Sequence, residues 1–114
     1  MVPPARPFAF ALLARALLAQ GRLSEALPLA CDAFAQLESL GVVDDGEATI
    51  RLALAECLIA TCDQPAAQDA VTTTAQWLRT RADAIADPAM HESFLTRIPE
   101  HRRILELARE LEVS

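Results

Sequence analysis

The sequence predicts an all-α fold of antiparallel helix-pair repeats, about six helices in all, and three observations carry that prediction. Alanine and leucine together fill 40 of 114 positions, 23 and 17 respectively. Glycine occurs only 3 times and tyrosine not at all, whereas a β-sandwich or barrel wants β-branched and aromatic residues between glycine-rich turns. Apolar residues recur at spacings of three and four between proline and glycine breaks, the period of a helix with one buried stripe. The hydrophobic content of 53% also excludes a disordered chain, because that much apolar surface offsets the entropy of ordering. The length suits one domain. Residues 1–6, with prolines at 3 and 4, read as a linker, and 7–114 as a single helical domain.

The first helix is expected from Pro7 to Gln20, with Phe10, Leu13 and Leu17 inward and Gly21 as its stop. The second runs from Ser24, an N-cap residue type, to Leu40, burying Leu27, Ala30, Phe34 and Leu37, with Pro28 near its first turn. The third follows Asp44-Asp45-Gly46-Glu47, whose acids suit the positive end of the helix dipole; Asp44 and Glu47 have capping-box spacing. The cap is preferred to a metal site there. Its stripe is Ile50, Ala53 or Leu54, Cys57 and Leu58. The fourth opens at Asp63 and Pro65 and continues to Ala86, with Ala67, Val71, Thr74, Leu78, Ala82 and Ile85 inward and Thr72 to Thr74 as a locally weak stretch. Asp87-Pro88 starts a short fifth helix to Leu95. Pro99-Glu100 starts the sixth, with Ile104, Leu107, Ala108 and Leu111 inward.

Two segments repeat a pattern. One is Phe10-x-x-Leu13-Ala14-x-x-Leu17, then Gly21-Arg22-Leu23-Ser24-Glu25-Ala26, then Ala30 and Ala33. The other is Ile50-x-x-Ala53-Leu54-x-x-Cys57, then Asp63-Gln64-Pro65-Ala66, then Ala70 and Thr73. This pattern resembles the tetratricopeptide repeat family over residues 7–86, with repeats at 7–40 and 47–86 and a terminal helix pair at 88–112. The family places small residues where paired helices cross closely and large ones between them. Ala14 stands where the family usually has glycine and Leu17 where it usually has tyrosine. The copies are offset by 40 residues rather than the usual 34. The terminal region is similar to the end of large bacterial signalling proteins, in which such repeats follow a kinase or ATPase domain.

That resemblance implies a non-catalytic protein–protein interaction module that binds a peptide or partner helix on its concave face. Residues one step off the buried stripes would line that groove: Phe8, Ala11, Arg15 and Leu18 from the first helix, and Arg51, Ala55 and Leu58 from the third. Arg15 and Arg51 are the charges in that set, so the expected segment carries an acid beside apolar anchors. The family's carboxylate-gripping members use lysine and asparagine, and this chain has neither. The alternative is self-association. The stretch Phe8-Ala9-Phe10-Ala11-Leu12-Leu13 is apolar around most of its circumference, which invites a homodimer through the first helix.

Charge and chemistry narrow the field further. Net charge is −6, concentrated in residues 41–70, and the one basic doublet, Arg102-Arg103, is flanked by Glu100 and Glu106; no clustered basic surface for nucleic acid is expected. No stretch approaches the roughly 20 apolar residues of a membrane span. The N-terminus lacks the apolar core of a signal peptide, so the cytoplasm is the expected location. Cys31, Cys57 and Cys62 form no CxxC pair and read as small buried residues in a reducing compartment. His91-Glu92-Ser93-Phe94-Leu95 begins like a zinc-protease motif, but Leu95 stands where the second ligand must be. His101 is expected on the surface and Trp77 in the packing. No catalytic residue, metal or cofactor is expected.

Overall fold

A computed structural model describes residues 6–40 and 46–111. Every regular element among them is a helix: α1 (Arg6–Ala19), α2 (Leu23–Leu40), α3 (Glu47–Ala60), α4 (Gln64–Asp83), α5 (Pro88–Thr96) and α6 (Pro99–Glu110). The helix begins at Arg6, one residue inside the expected linker; the rest of that linker and Asp44 of the expected capping box lie outside the described residues.

The punctuation works through identifiable bonds. At the end of α1, Gly21 adopts φ +76°. Arg22 N–H donates to the Leu17 carbonyl and Gly21 N–H to that of Leu18, both at 2.9 Å, the paired bonds of a left-handed helix stop. Nothing lies near where a Gly21 Cβ would stand, so conformation alone favours glycine there. Asp63 caps α4 by accepting from Ala66 N–H at 3.2 Å. Asp87 caps α5 by accepting from Ala89 N–H at 2.8 Å and Met90 N–H at 3.2 Å. That cap also ends α4 short of the expected Ala86: Asp87 is extended at ψ 120°, because a residue before proline is pushed out of the helical region. The threonine run 72–74 does not break α4, and Thr74 is buried within it. Pro28 lies inside α2, well past its first residue Leu23, with its ring exposed.

Two clusters form the core and α3 belongs to both. On one side Ala11, Ala14, Ala26, Ala30, Ala33 and Leu37 from α1 and α2 pack on Ile50, Ala53 and Cys57. The alanines let these backbones approach closely. On the other side Leu52 and Ala55 meet Val71, Ala75 and Leu78 of α4 and Ile104, Leu107 and Ala108 of α6. Within α3 only Ala60 is exposed. Phe8 meets Gly46 and Arg15 meets Glu56, so α1 and α3 advance together. Trp77 meets His101, while Val71 and Thr74 share a wall with Ile104 and Leu107, so α4 runs against α6.

One inward stripe differs from expectation. In α1 the buried residues are Pro7, Ala11 and Ala14, with Phe10 and Leu17 partly covered, while Leu13 is 49% exposed. A helix apolar on all sides gives no preferred face, so its fit to α2 and α3 selects the small side. In α4 the expected stripe holds: Ala67, Val71, Thr74, Leu78 and Ala82 are buried together with Ala75, while Ile85 lies beyond the helix and is half-buried. The repeat positions Ala66 and Ala70 are only half-buried, and Thr73 is exposed. This face lies one residue on from that of α2, so the second segment matches the first in sequence more closely than in packing.

Candidate functional site

The residues singled out for a groove do not share one surface. Arg15 Nε donates to Glu56 Oε1 at 2.8 Å. Glu56 also lies 3.8 Å from Arg103, which pairs with Glu106 at 3.2 Å and Glu110 at 3.1 Å. This line joins α1, α3 and α6 and neutralises the Arg102-Arg103 doublet in part. Arg51 Nε donates to Glu47 Oε2 at 3.1 Å, and its guanidinium carbon lies 5.6 Å from the Phe34 ring and 5.3 Å from that of Trp77, within cation–π range. Each arginine therefore has a carboxylate inside the chain. The Arg51–Glu47 pair, one helical turn apart, was readable from spacing. Glu56 is 41 positions from Arg15 and left no local signal.

Leu18 packs against the first core cluster. Ala11 and Ala55, expected on the groove, are buried in the two cores. Arg51 and Leu58 do meet, in a cleft of about 360 Å³ walled by Phe34 and Leu54 and by Asp69 on α4. Phe8 faces a separate cavity. The outer side of α1 is the remaining surface: Leu12 is 47% and Leu13 49% exposed, with Ala9, Ala16 and Ala19 exposed beside them. These positions recur at three and four, so they form one stripe without a charge.

The Phe8 cavity, about 440 Å³, lies where α1, α3 and α6 begin. Its apolar walls include Phe8, Trp77 and Phe94; its polar lining includes Glu47, Thr49, Arg81, Glu100 and His101. Glu47 is 8% exposed and holds Arg51 on one oxygen and, at 3.4 Å, Arg81 on the other. Arg81 also lies 5.4 Å from the Trp77 ring. His101, expected on the surface, is 7% exposed. Its Nδ1 donates to the Phe94 carbonyl at 2.8 Å, and its ring centroid lies 4.4 Å from Phe94 and 6.4 Å from Trp77. The first turn of α6 points inward rather than outward, because Ile104, Leu107 and Ala108 on the same stripe anchor it. Trp77 packs as expected, and it is also part of the cavity wall.

All three cysteines are free thiols, but only Cys57 is buried; Cys31 and Cys62 are exposed, against the expectation for all three. Cys62 takes φ +62° where α3 ends. Burial, aided by Glu56 and Cys31, pushes the Cys57 thiol up to about 11, so it stays protonated and unreactive at neutral pH. Among the described residues no His, Cys, Asp and Glu group has metal-binding geometry, and no helix is long and apolar enough to cross a membrane. Against that geometry, no family model, no curated protein and no solved structure matches the chain.

Proposed function

We propose that the chain is a non-catalytic protein-interaction module that associates with a second copy of itself through α1. The observation that carries this reading is the uncharged stripe Ala9, Leu12, Leu13, Ala16 and Ala19, which leaves two large side chains about half exposed on one helix. Two copies can meet there without like-charge repulsion. With a two-fold axis between Leu12 and Leu13, an antiparallel pairing sets Ala9 of one copy against Ala16 of the other, small residues opposite small ones. The resemblance to tetratricopeptide repeats agrees, since such helix pairs rarely bury enough surface without a neighbour.

Sedimentation at several concentrations tests this. A mass rising to twice 12.3 kDa, with Leu13→Glu holding the chain monomeric and its helicity intact, is the expected result. A single monomer mass at all concentrations would remove the reading.

A second reading has an observation of its own: Arg51 and Leu58 share the cleft beside Phe34. A peptide or partner helix with an acid next to an apolar anchor fits there, in keeping with the family resemblance. Amide shifts at Leu54 and Leu58 on titration with such a peptide would support it, and their absence would sink it.

A further inference from the structure

Among the described residues, α2 and α4 pack on α3 from two sides and do not touch each other. The cleft that brings Arg51 and Leu58 together is the gap between them. Its floor is Arg51, Leu54 and Leu58, spaced at three and four along α3; Phe34 of α2 stands on one side, and Ala66 and Asp69 of α4 on the other. Side chains that recur once per turn along a floor offer a partner helix a row of seats. The volume of about 360 Å³ takes a few side chains rather than a whole helix about 10–12 Å across, so such a partner lies on the cleft and lowers one face into it. No residue of α1 lines it, and the stripe at Leu12 and Leu13 remains available to a second copy.

The two ends of the cleft carry opposite charge. At one end Glu47 is shared by Arg51 and Arg81, so those three side chains keep a net positive charge. Asp69 is exposed and forms no ion pair or hydrogen bond among the described residues. Residues 1–5, 41–45 and 112–114 hold no lysine or arginine, and α1, where Arg6 stands, takes no part in the cleft. The Asp69 carboxylate is therefore open to a base from outside. Trp77 of α4 lies beside Arg51, and Asp69 comes two turns earlier on the same helix, about 12 Å at about 1.5 Å per residue. Resting on the reading of this cleft as a peptide groove, we infer that its partner is an amphipathic helix carrying both an acid and a base, two turns apart, with aliphatic anchors between them. The acid meets Arg51, the anchors sit on Leu54 and Leu58, and the base pairs with Asp69.

Three synthetic helices of about 15 residues test this on the full chain. All carry leucines at spacings of three and four; they differ in having glutamate and lysine, two glutamates, or two lysines placed two turns apart. Calorimetry at low salt, where exposed charges are least screened, gives the affinities, and amide shifts give the place. The glutamate–lysine helix should bind saturably, shift Leu54 and Leu58, and exceed each like-charged version by about fivefold or more, one attraction having become a repulsion. Asp69→Lys, a change at an exposed side chain with no bond to lose, should invert the order and make the two-glutamate helix the tightest. Equal binding of the three, or an order that Asp69→Lys leaves unchanged, would overturn the pairing of a base with Asp69 while the cleft remained a groove for an acid and an apolar anchor. No shift at Leu54 and Leu58 with any of them would remove the groove itself and leave self-association through α1 untouched.

Discussion

Glu47 joins α3 to α4, and removing its carboxylate is the sharpest perturbation of the packing around the cavity. In Glu47→Ala, Arg51 loses a partner at 3.1 Å in a place where its side chain is only 18% exposed. A hydrogen bond to a charged group contributes about 1.5–3 kcal/mol, and the stranded guanidinium keeps its contacts to Phe34 and Trp77. The Arg81 pair adds little, because Arg81 is half exposed and solvent screens it. The acid also complements the start of α3, worth about 0.5 kcal/mol. The sum is a loss of about 2–3.5 kcal/mol, or roughly 8–14 °C in Tm at about 4 °C per kcal/mol for a domain of this size. Urea unfolding followed by Trp77 emission and by helical circular dichroism measures it, and the double cycle with Arg51→Ala isolates the pair. A loss below about 0.5 kcal/mol, or a cycle with no coupling, would refute the argument that this pair holds α3 in place.

Other outcomes follow from particular contacts. In Gly46→Ala the new Cβ would fall against the Phe8 ring, at a residue with φ +86°; we expect a loss above about 2 kcal/mol, against about 1 kcal/mol for Gly21→Ala, which meets nothing. Equal losses in chemical denaturation would show that Phe8 does not constrain Gly46. Ile104→Ala empties the seat of α6 in the second cluster and should cost about 2–5 kcal/mol; a change under 1 kcal/mol would mean that α6 is not anchored there. With a disulfide reagent at pH 8, Cys31 and Cys62 should react promptly. Cys57, its thiol raised to about 11, should react only as pH climbs toward that value or the chain unfolds. Three equal rates would contradict its burial.

Much of the helix layout was legible, because start and stop signals are local chemistry. Asp63 with Pro65, Asp87 with Pro88, and Gly21 each satisfy or release backbone groups within a few residues of themselves. Which side of a helix turns inward was legible only where polar residues marked the other side. Helix α6 shows this: charged residues alternate with Ile104 and Leu107, and beyond its first turn the buried residues Ile104, Leu107 and Ala108 were read correctly. In α1, Leu13 and Ala11 are equally apolar, and packing against α2 and α3 favoured the smaller. The groove failed as a single surface for a related reason. Arg15 is committed to Glu56, a partner fixed by the crossing of α1 on α3 rather than by spacing along either. The cavity was hidden more deeply, since its wall draws on several helices and His101 lies in a first turn that reads as solvent-facing.

The position of α3 as one wall of both clusters has a consequence for how the chain comes apart. In a stack of helix pairs that touch only their neighbours, terminal units can melt while the rest persists. Here the alanine-lined cluster and the leucine-rich one share a single rod, so neither survives the loss of the other's wall. Unfolding should be all-or-none for α1 to α4 and α6, with their slowest amides exchanging together at the global free energy. Only α5, which has no buried residue, is free to open ahead of the rest. A chain patterned like a modular array would thus behave as one cooperative unit with a single loose flap.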